Sequence, residues 1–164
     1  DPDRSCALTR TCPTNATTTF YVCCGPAFPN TFVRSPLVES RMLPWFAAQG
    51  GYDGFLRWSY NDWPEDPYSH PEWGNWPTGD VFLVYPGENG PISSLRWEQL
   101  REGIQDFQLA MIASANIHTP EEMVDYEQAI TLACRNPDGR MKSLGDIEIA
   151  RRLLIPIAEH LNEQ

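Results

Sequence analysis

Lysine is nearly missing from this sequence. Lys142 is the only lysine among 164 residues, and eleven arginines supply the other permanent side-chain cations. Asp and Glu outnumber Lys and Arg by 22 to 12, so the formal net charge is −10. Nucleic acids and anionic membrane surfaces both require a basic face on their protein partner. The charge balance therefore argues against either of them as a partner.

Long apolar runs are also lacking. No segment approaches the roughly 20 consecutive apolar residues that cross a bilayer as a helix, so no membrane span is predicted. No signal peptide is visible. The sequence begins at Asp1-Pro2 without a methionine, which we interpret as the start of a piece excised from a longer polypeptide.

Cysteine occurs five times, but in no pattern typical of a metal site or a secreted disulfide framework. The number is odd, the spacing is irregular, and the three histidines are far apart. Neither a metal nor a cofactor is predicted. Cys23 and Cys24 lie in an apolar run, and their simplest interpretation is as small buried hydrophobic side chains. Cys6 and Cys12 are an alternative pair that could form a disulfide at the terminus.

The first half of the chain predicts a βαβ unit. Residues 17–24 (TTTFYVCC) favour a strand buried on both faces, because β-branched and aromatic residues run together without alternation. A helix is expected from Ser35-Pro36, with serine as the N-cap, and Pro44 should kink or interrupt it. A second strand is expected at about residues 54–60. This order implies that the two strands are parallel.

The second half predicts a long loop followed by helices. Residues 61–79 are rich in Pro, Trp and acidic side chains, and residues 80–85 (DVFLVY) predict a short third strand or an extension of a barrel rim. Helices are expected at about residues 94–114, from the capping box at Thr119–Glu122 to about Cys134, and at about residues 144–162.

The predicted organisation is α/β and asymmetric. It has an irregular segment at residues 1–16, βα units at residues 17–115 and a helical extension at residues 116–164. Two parallel strands cannot bury themselves alone, so we expect either the last two βα units of a (β/α)8 barrel followed by extra helices, or strands that need a partner molecule. An incomplete barrel exposes strand edges and an apolar interior, and we therefore expect the isolated chain to self-associate.

Aromatic and amide side chains crowd the end of the second predicted strand. Flat rings match the apolar C–H faces of pyranose sugars, while amides and carboxylates bind their hydroxyls. A carbohydrate site is therefore predicted, with these candidate substrate-binding residues at or near strand ends: Tyr21, Asn30, Trp58, Tyr60, Asn61, Trp63 and Asp80. Alternatives stay open, because Trp58 could pack between sheet and helix and Asn61 could cap the loop backbone.

Six segments in the same order carry a resemblance to a known family. They are FYVCCGP at 20–26, PNTF at 29–32, PLVESRMLPW at 36–45, GFLRWSYNDW at 54–63, GDVFLVYPG at 79–87 and SLRWEQLREGIQDF at 94–107. Together they resemble the C-terminal part of the catalytic domain of glycoside hydrolase family 123. The resemblance covers roughly residues 17–115.

The resemblance implies a (β/α)8 barrel that acts as a β-N-acetylgalactosaminidase on glycans with a terminal N-acetylhexosamine. In this family the substrate's acetamido group is the nucleophile of a retaining hydrolysis, and an adjacent Asp-Glu pair orients the acetamide and supplies the general acid/base. No Asp-Glu dipeptide occurs in this sequence. No catalytic residue is therefore expected here, and the remainder of the barrel would be an obligatory partner.

A second hypothesis is a non-catalytic carbohydrate-binding or structural α/β module. It predicts a chain that holds glycans without cutting them and needs no further barrel strands. A gene that continues upstream with six more βα units and an Asp-Glu pair at a strand end would favour the enzyme instead.

Overall fold

The computed structural model describes residues 16–134 and 143–159. The possible Cys6–Cys12 pair, almost all of the predicted N-terminal segment and the end of the last predicted helix lie outside these ranges. The elements in chain order are β1 (Thr19–Val22), α1 (Leu37–Gln49), β2 (Gly54–Arg57), α2 (Leu95–Ala115), α3 (Pro120–Cys134) and α4 (Leu144–Glu159). No helix within the described ranges is long and apolar enough to cross a membrane.

The two strands form a parallel pair, as the βαβ pattern predicts. Thr19 lies opposite Gly54, and Val22 lies opposite Arg57. Both strands have four residues and are shorter than predicted. Their carboxyl ends therefore lie side by side, at Val22 and Arg57, and the segments that follow them leave the sheet at the same edge.

One face of this small sheet is covered and the other is open. Phe20 and Phe55 lie opposite each other and pack on a cluster that includes Leu43 of α1. Tyr21 and Leu56 form the next pair and point to the other face, since side chains alternate along a strand. They are 46% and 53% exposed. The expectation of a first strand buried on both faces is therefore wrong for this chain, because no described segment covers the second face.

The helices form a layer of their own around a larger core. α1 contributes Met42 and Trp45, and α4 contributes Ile147 and Leu154, all fully buried. Small residues allow close helix contacts, and a Cβ atom on Gly103 of α2 would lie 2.5 Å from the backbone oxygen of Arg41. α1 and α2 therefore pack closely at the point where they cross.

A buried carboxylate joins three of these helices. Asp106 of α2 is fully buried and accepts hydrogen bonds from Arg41 Nε at 2.8 Å and Trp45 Nε1 at 3.0 Å, both in α1. Arg151 of α4 also forms an ion pair with Asp106, while Arg41 bonds Glu148 at 2.8 Å. In this cluster, buried Asp106 and Arg41 each have an opposite charge beside them, which offsets the cost of desolvation.

The helix starts confirm two predictions and correct one. Ser94 Oγ accepts from the Trp97 N–H, and Thr119 and Glu122 exchange the two hydrogen bonds of a capping box. The start of α1 differs from the prediction, because Pro36 and not Ser35 is the N-cap residue. The Pro36 carbonyl accepts a hydrogen bond from the Glu39 N–H at 2.9 Å. The same helix continues through Pro44 to Gln49, so the proline does not interrupt it.

Residues 80–85 do not form the predicted third strand. Residues 81–84 are buried, yet this stretch makes only isolated bridges, between Asn61 and Phe82 and between Tyr85 and Ile92. Loop backbone and side chains satisfy its polar groups instead: the Val81 carbonyl accepts from Ser59 Oγ and from the Asp62 N–H. An apolar run can thus be a buried loop when its backbone partners come from another loop.

Candidate functional site

The candidate site begins at a buried ion pair at the end of β2. Arg57 Nη2 lies 2.8 Å from Asp80 Oδ1, and their side chains are 4% and 1% exposed. The same Nη2 donates to the Asp80 carbonyl at 2.7 Å. Burial lowers the pKa of Arg57, and the negative charge of Asp80 opposes this shift. The pair thereby joins the last residue of β2 to the start of the 80–84 segment.

Asn30 adds the loop after β1 to the same network. It is fully buried, and its amide nitrogen donates to the carbonyls of Cys23 and Pro26, each at 2.7 Å. Its side-chain oxygen accepts from Arg57 Nη1 at 3.2 Å. These bonds make Asn30 a residue that positions the loop beneath the site. A sugar contact of Asn30 stays a prediction.

Trp58 is held by the second oxygen of the same carboxylate. Its Nε1 donates to Asp80 Oδ2 at 3.2 Å, while the residue as a whole is 43% exposed. The ring of Trp76 lies 6.3 Å away, tilted by 49°, and is itself 49% exposed. Asp80 therefore bonds Arg57 with one oxygen and orients the exposed indole of Trp58 with the other.

The other aromatic residues of this segment lie further along residues 80–84. Tyr60 contacts the Trp97 ring edge-on at 5.1 Å and is 40% exposed. Trp63 is half-buried, and its Nε1 donates to the Val84 carbonyl at 2.7 Å. Asn61 is exposed and forms a bridge with Phe82. Residues 58–63 thus run along the 80–84 segment and present Trp58, Tyr60 and Asn61 to solvent.

Tyr21 approaches the site from β1, on the open face of the sheet. Partial desolvation, and next the neighbouring Cys23 thiol, raise the pKa of Tyr21. Cys23 is half-buried and Cys24 is exposed, so the prediction that both are small core residues is wrong. The reason is local: β1 ends at Val22, and the two cysteines already belong to the turn that leaves the sheet.

Sequence reasoning listed Asp80 and Asn30 as candidate sugar contacts but did not predict their common bonding partner, Arg57. A buried arginine in a strand needs a carboxylate partner, and Asp80 is the partner of Arg57. The two residues are 23 positions apart, so no local sequence pattern links them. Arg96 of α2 was also missed. It is buried, donates to the carbonyls of Thr31 and Gly79, and lies 5.4 Å from the centre of the Phe82 ring.

The arrangement suits recognition of a neutral ring better than metal chemistry. Apolar ring faces and polar edges meet at the carboxyl ends of two parallel strands, where α/β proteins commonly place ligands. Among residues 16–134 and 143–159, no group of three or more His, Cys, Asp or Glu could hold a metal ion. A cavity of about 290 Å³ lies at the opposite end of β2, lined by residues including Ala47, Asp53 and Phe107, away from the indoles.

Comparison with known families agrees with the resemblance seen in the sequence. The model of the glycoside hydrolase 123 catalytic domain matches residues 5–113. The chain belongs to glycoside hydrolase family 123. A comparison with curated proteins found no match.

A solved structure supports the same fold assignment. It was reported in a study of glycolipid glycan hydrolysis by a family 123 glycoside hydrolase from Clostridium perfringens. The two structures superpose with a TM-score of 0.67 at 24% sequence identity. The match covers 88% of this chain but 28% of the clostridial one. The family 123 chain described here therefore corresponds to just over a quarter of that protein.

The buried ion pair generates the first prediction. Asp80→Asn leaves the Arg57 guanidinium buried beside a neutral amide, and we expect it to lower the free energy of unfolding by about 3 kcal/mol. Urea unfolding followed by circular dichroism measures the change. Asp62→Asn is the matched control, because Asp62 is exposed in the same site and should change stability by less than about 0.5 kcal/mol. Equal effects of the two variants would contradict the assignment.

Proposed function

We propose that this chain is the C-terminal portion of a (β/α)8 barrel and supplies one wall of its carbohydrate cleft. The parallel pair β1–β2, joined through α1, has the local geometry of a barrel segment. Its helix-covered face carries Phe20 and Phe55, as the outer face of a barrel strand does. Its open face carries Tyr21 and Leu56, which would then point into the barrel interior.

The single observation that carries the proposal is the exposed, oriented indole of Trp58. An indole without a polar partner would be free to turn, whereas Asp80 fixes this one through Nε1 and leaves 43% of the residue accessible. A fixed flat ring loses little conformational entropy when a pyranose stacks on it. Trp58, with Tyr60 and Tyr21, thus forms the apolar part of the wall, and Asn61 supplies an exposed amide for hydroxyl groups.

Asp80, Asn30 and Trp63 have supporting roles in this proposal. Both carboxylate oxygens of Asp80 already bond protein groups, and the indole N–H of Trp63 is taken by the Val84 carbonyl. Asn30 holds the β1 loop. These three residues shape the wall, and any direct contact with sugar would come from the ring of Trp63 or from water-mediated bonds.

The substrate class follows from the family. We propose a glycan with a terminal N-acetylhexosamine, in which the acetamido group assists a retaining hydrolysis. The clostridial relative was studied for hydrolysis of glycolipid glycans, so a glycan substrate is common to both. The acid/base chemistry requires an Asp-Glu pair, and none occurs in these 164 residues. The chain therefore binds and orients sugar, while hydrolysis depends on polypeptide that completes the barrel.

Sugar binding gives the second prediction. We expect the chain to bind N-acetylgalactosamine weakly and to leave an aryl β-N-acetylgalactosaminide uncut. Trp58→Ala should weaken binding by roughly tenfold, because it removes the stacking surface. Isothermal titration calorimetry measures the affinity and release of the aryl alcohol measures hydrolysis.

Tyr68→Ala is the matched control for this experiment. Tyr68 is 60% exposed in the same loop, but it contacts Tyr85 and the Pro86 carbonyl rather than Trp58. Its removal should leave the affinity unchanged. Hydrolysis by the chain alone would overturn the proposed dependence on other polypeptide. Equal loss of affinity in both variants, or no binding at all, would overturn the Trp58 wall.

The open face gives the third prediction. Since Leu56 is 53% exposed beside Tyr21, we propose that this face pairs with a second copy when the rest of the barrel is not present. Sedimentation velocity should show a dimer that Leu56→Glu shifts to monomer. Leu95→Glu is the control, because Leu95 is 69% exposed at the start of α2 and should leave the dimer intact. A monomer at all concentrations would contradict the proposal.

A further inference from the structure

Two adjacent thiols lie at the carboxyl end of β1. Cys23 and Cys24 are both free, and their Sγ atoms are 3.7 Å apart. Cys24 is exposed and Cys23 is half-buried, so small reagents can reach the pair. The buried Cys134, by contrast, is enclosed by the helical core. Nothing in the proposed sugar-binding role requires two neighbouring thiols at this position.

The surroundings make the two thiols chemically different. Hydrogen bonding lowers the pKa of Cys23. The Gly25 backbone contributes most, followed by the side chains of Cys24 and Tyr21. Interaction with Cys23 raises the pKa of Cys24. Cys23 therefore ionises first and Cys24 stays protonated beside it. The thiolate is the nucleophilic form of cysteine, so Cys23 is the attacking sulfur.

A buried cation interacts with Cys23. Burial lowers the pKa of Arg57, and the charges of Asp80 and then of Cys23 oppose this shift. Asp80 bonds Arg57 directly and acts on Cys24 by raising its pKa further. The thiol pair is thus electrostatically linked to the network that orients Trp58.

We propose that Cys23 and Cys24 form a redox-active dithiol, a modification site that closes to a disulfide by exchange with a low-molecular-weight disulfide. The Cys23 thiolate attacks one sulfur of that disulfide, whose S–S bond breaks and releases one thiolate. Cys24 then loses its proton and attacks Cys23 Sγ, which releases the second thiolate. The protein dithiol is oxidised by two electrons, and the small disulfide is reduced to two thiols.

The resulting bond would be easily reduced. Adjacent Cα atoms are about 3.8 Å apart across a trans peptide, whereas Cα atoms bridged by a disulfide are usually separated by about 4.4–6.8 Å. A bond between neighbours is therefore strained, and strained, accessible disulfides are the labile and regulatory ones. Oxidation removes the ionisable thiol of Cys23 beside Tyr21 and Arg57. The inference concerns thiol chemistry and stands whether or not the chain binds sugar.

The experiment treats the whole chain with oxidised glutathione, blocks remaining thiols with iodoacetamide and digests it with chymotrypsin. Cleavage after Tyr21 and Phe32 gives a peptide, residues 22–32, whose only cysteines are Cys23 and Cys24. We expect this peptide to be lighter by two hydrogen atoms and free of the alkyl label. Dithiothreitol should restore both labels, and the peptide with Cys134 should show no disulfide.

One variant and one labelling experiment test the assigned order of reaction. Cys24→Ser lacks the second sulfur, so it should retain one glutathione on Cys23. Serine keeps a hydroxyl at this position, which limits effects on folding. Brief treatment of the intact chain with iodoacetamide at neutral pH should place the first alkyl group mainly on Cys23, because its pKa is lowered while that of Cys24 is raised.

Three outcomes would overturn the proposal. The 22–32 peptide could keep both thiols under excess oxidised glutathione, carry two glutathione groups, or form a disulfide between two chains. Each would show that the sulfurs do not close on each other. Equal first labelling of Cys23 and Cys24 in the intact chain would contradict the role of Cys23 as the attacking thiol.

Discussion

The ion pair between Arg57 and Asp80 is the interaction on which the site depends. Both side chains are almost fully buried, and the cost of placing two charges there is offset only while each has the other. Through Asp80 the pair orients Trp58, and through Arg57 it contacts Asn30 and thereby the loop after β1. A single charge pair thus fixes three loop segments relative to the two-stranded sheet.

The helical layer contains a second buried carboxylate that is paired with arginine side chains. Asp106 is buried among cations from α1 and α4, as Asp80 is buried against Arg57. The two clusters have different consequences. Asp106 joins helices that also share an apolar core, while Asp80 links the end of β2 to loop residues that include the exposed Trp58.

Local patterns predicted most of the regular structure. The βαβ order, the parallel strands and the starts of α2 and α3 follow from composition, proline and glycine positions and capping residues, which act over a few residues. Residues 81–84 show the limit of such reasoning. An apolar run predicts burial. Whether its backbone partners come from a strand or from a loop depends on residues 59–62, about twenty positions away in the sequence.

The sequence indicated which residues lie near the strand ends, but not which groups each of them contacts there. The density of aromatic residues indicates the strand end, and Trp58, Tyr60 and Asn61 are exposed there. The burial of Asn30 and Asp80 could not be predicted, because it depends on where Arg57 points. Cys24 was predicted to be buried because it lies in an apolar run. The strand ends at Val22, however, so Cys23 and Cys24 lie in the segment that leaves the sheet.

We propose that Asp80 holds the Trp58 indole as a sugar-binding surface at the carboxyl end of β2. Nuclear magnetic resonance of the indole N–H groups, recorded while N-acetylgalactosamine is added, tests this proposal directly. We expect the Trp58 resonance to shift most and the resonance of Trp45, buried against Asp106, to stay in place. Shifts confined to other indoles, with Trp58 unaffected, would contradict it.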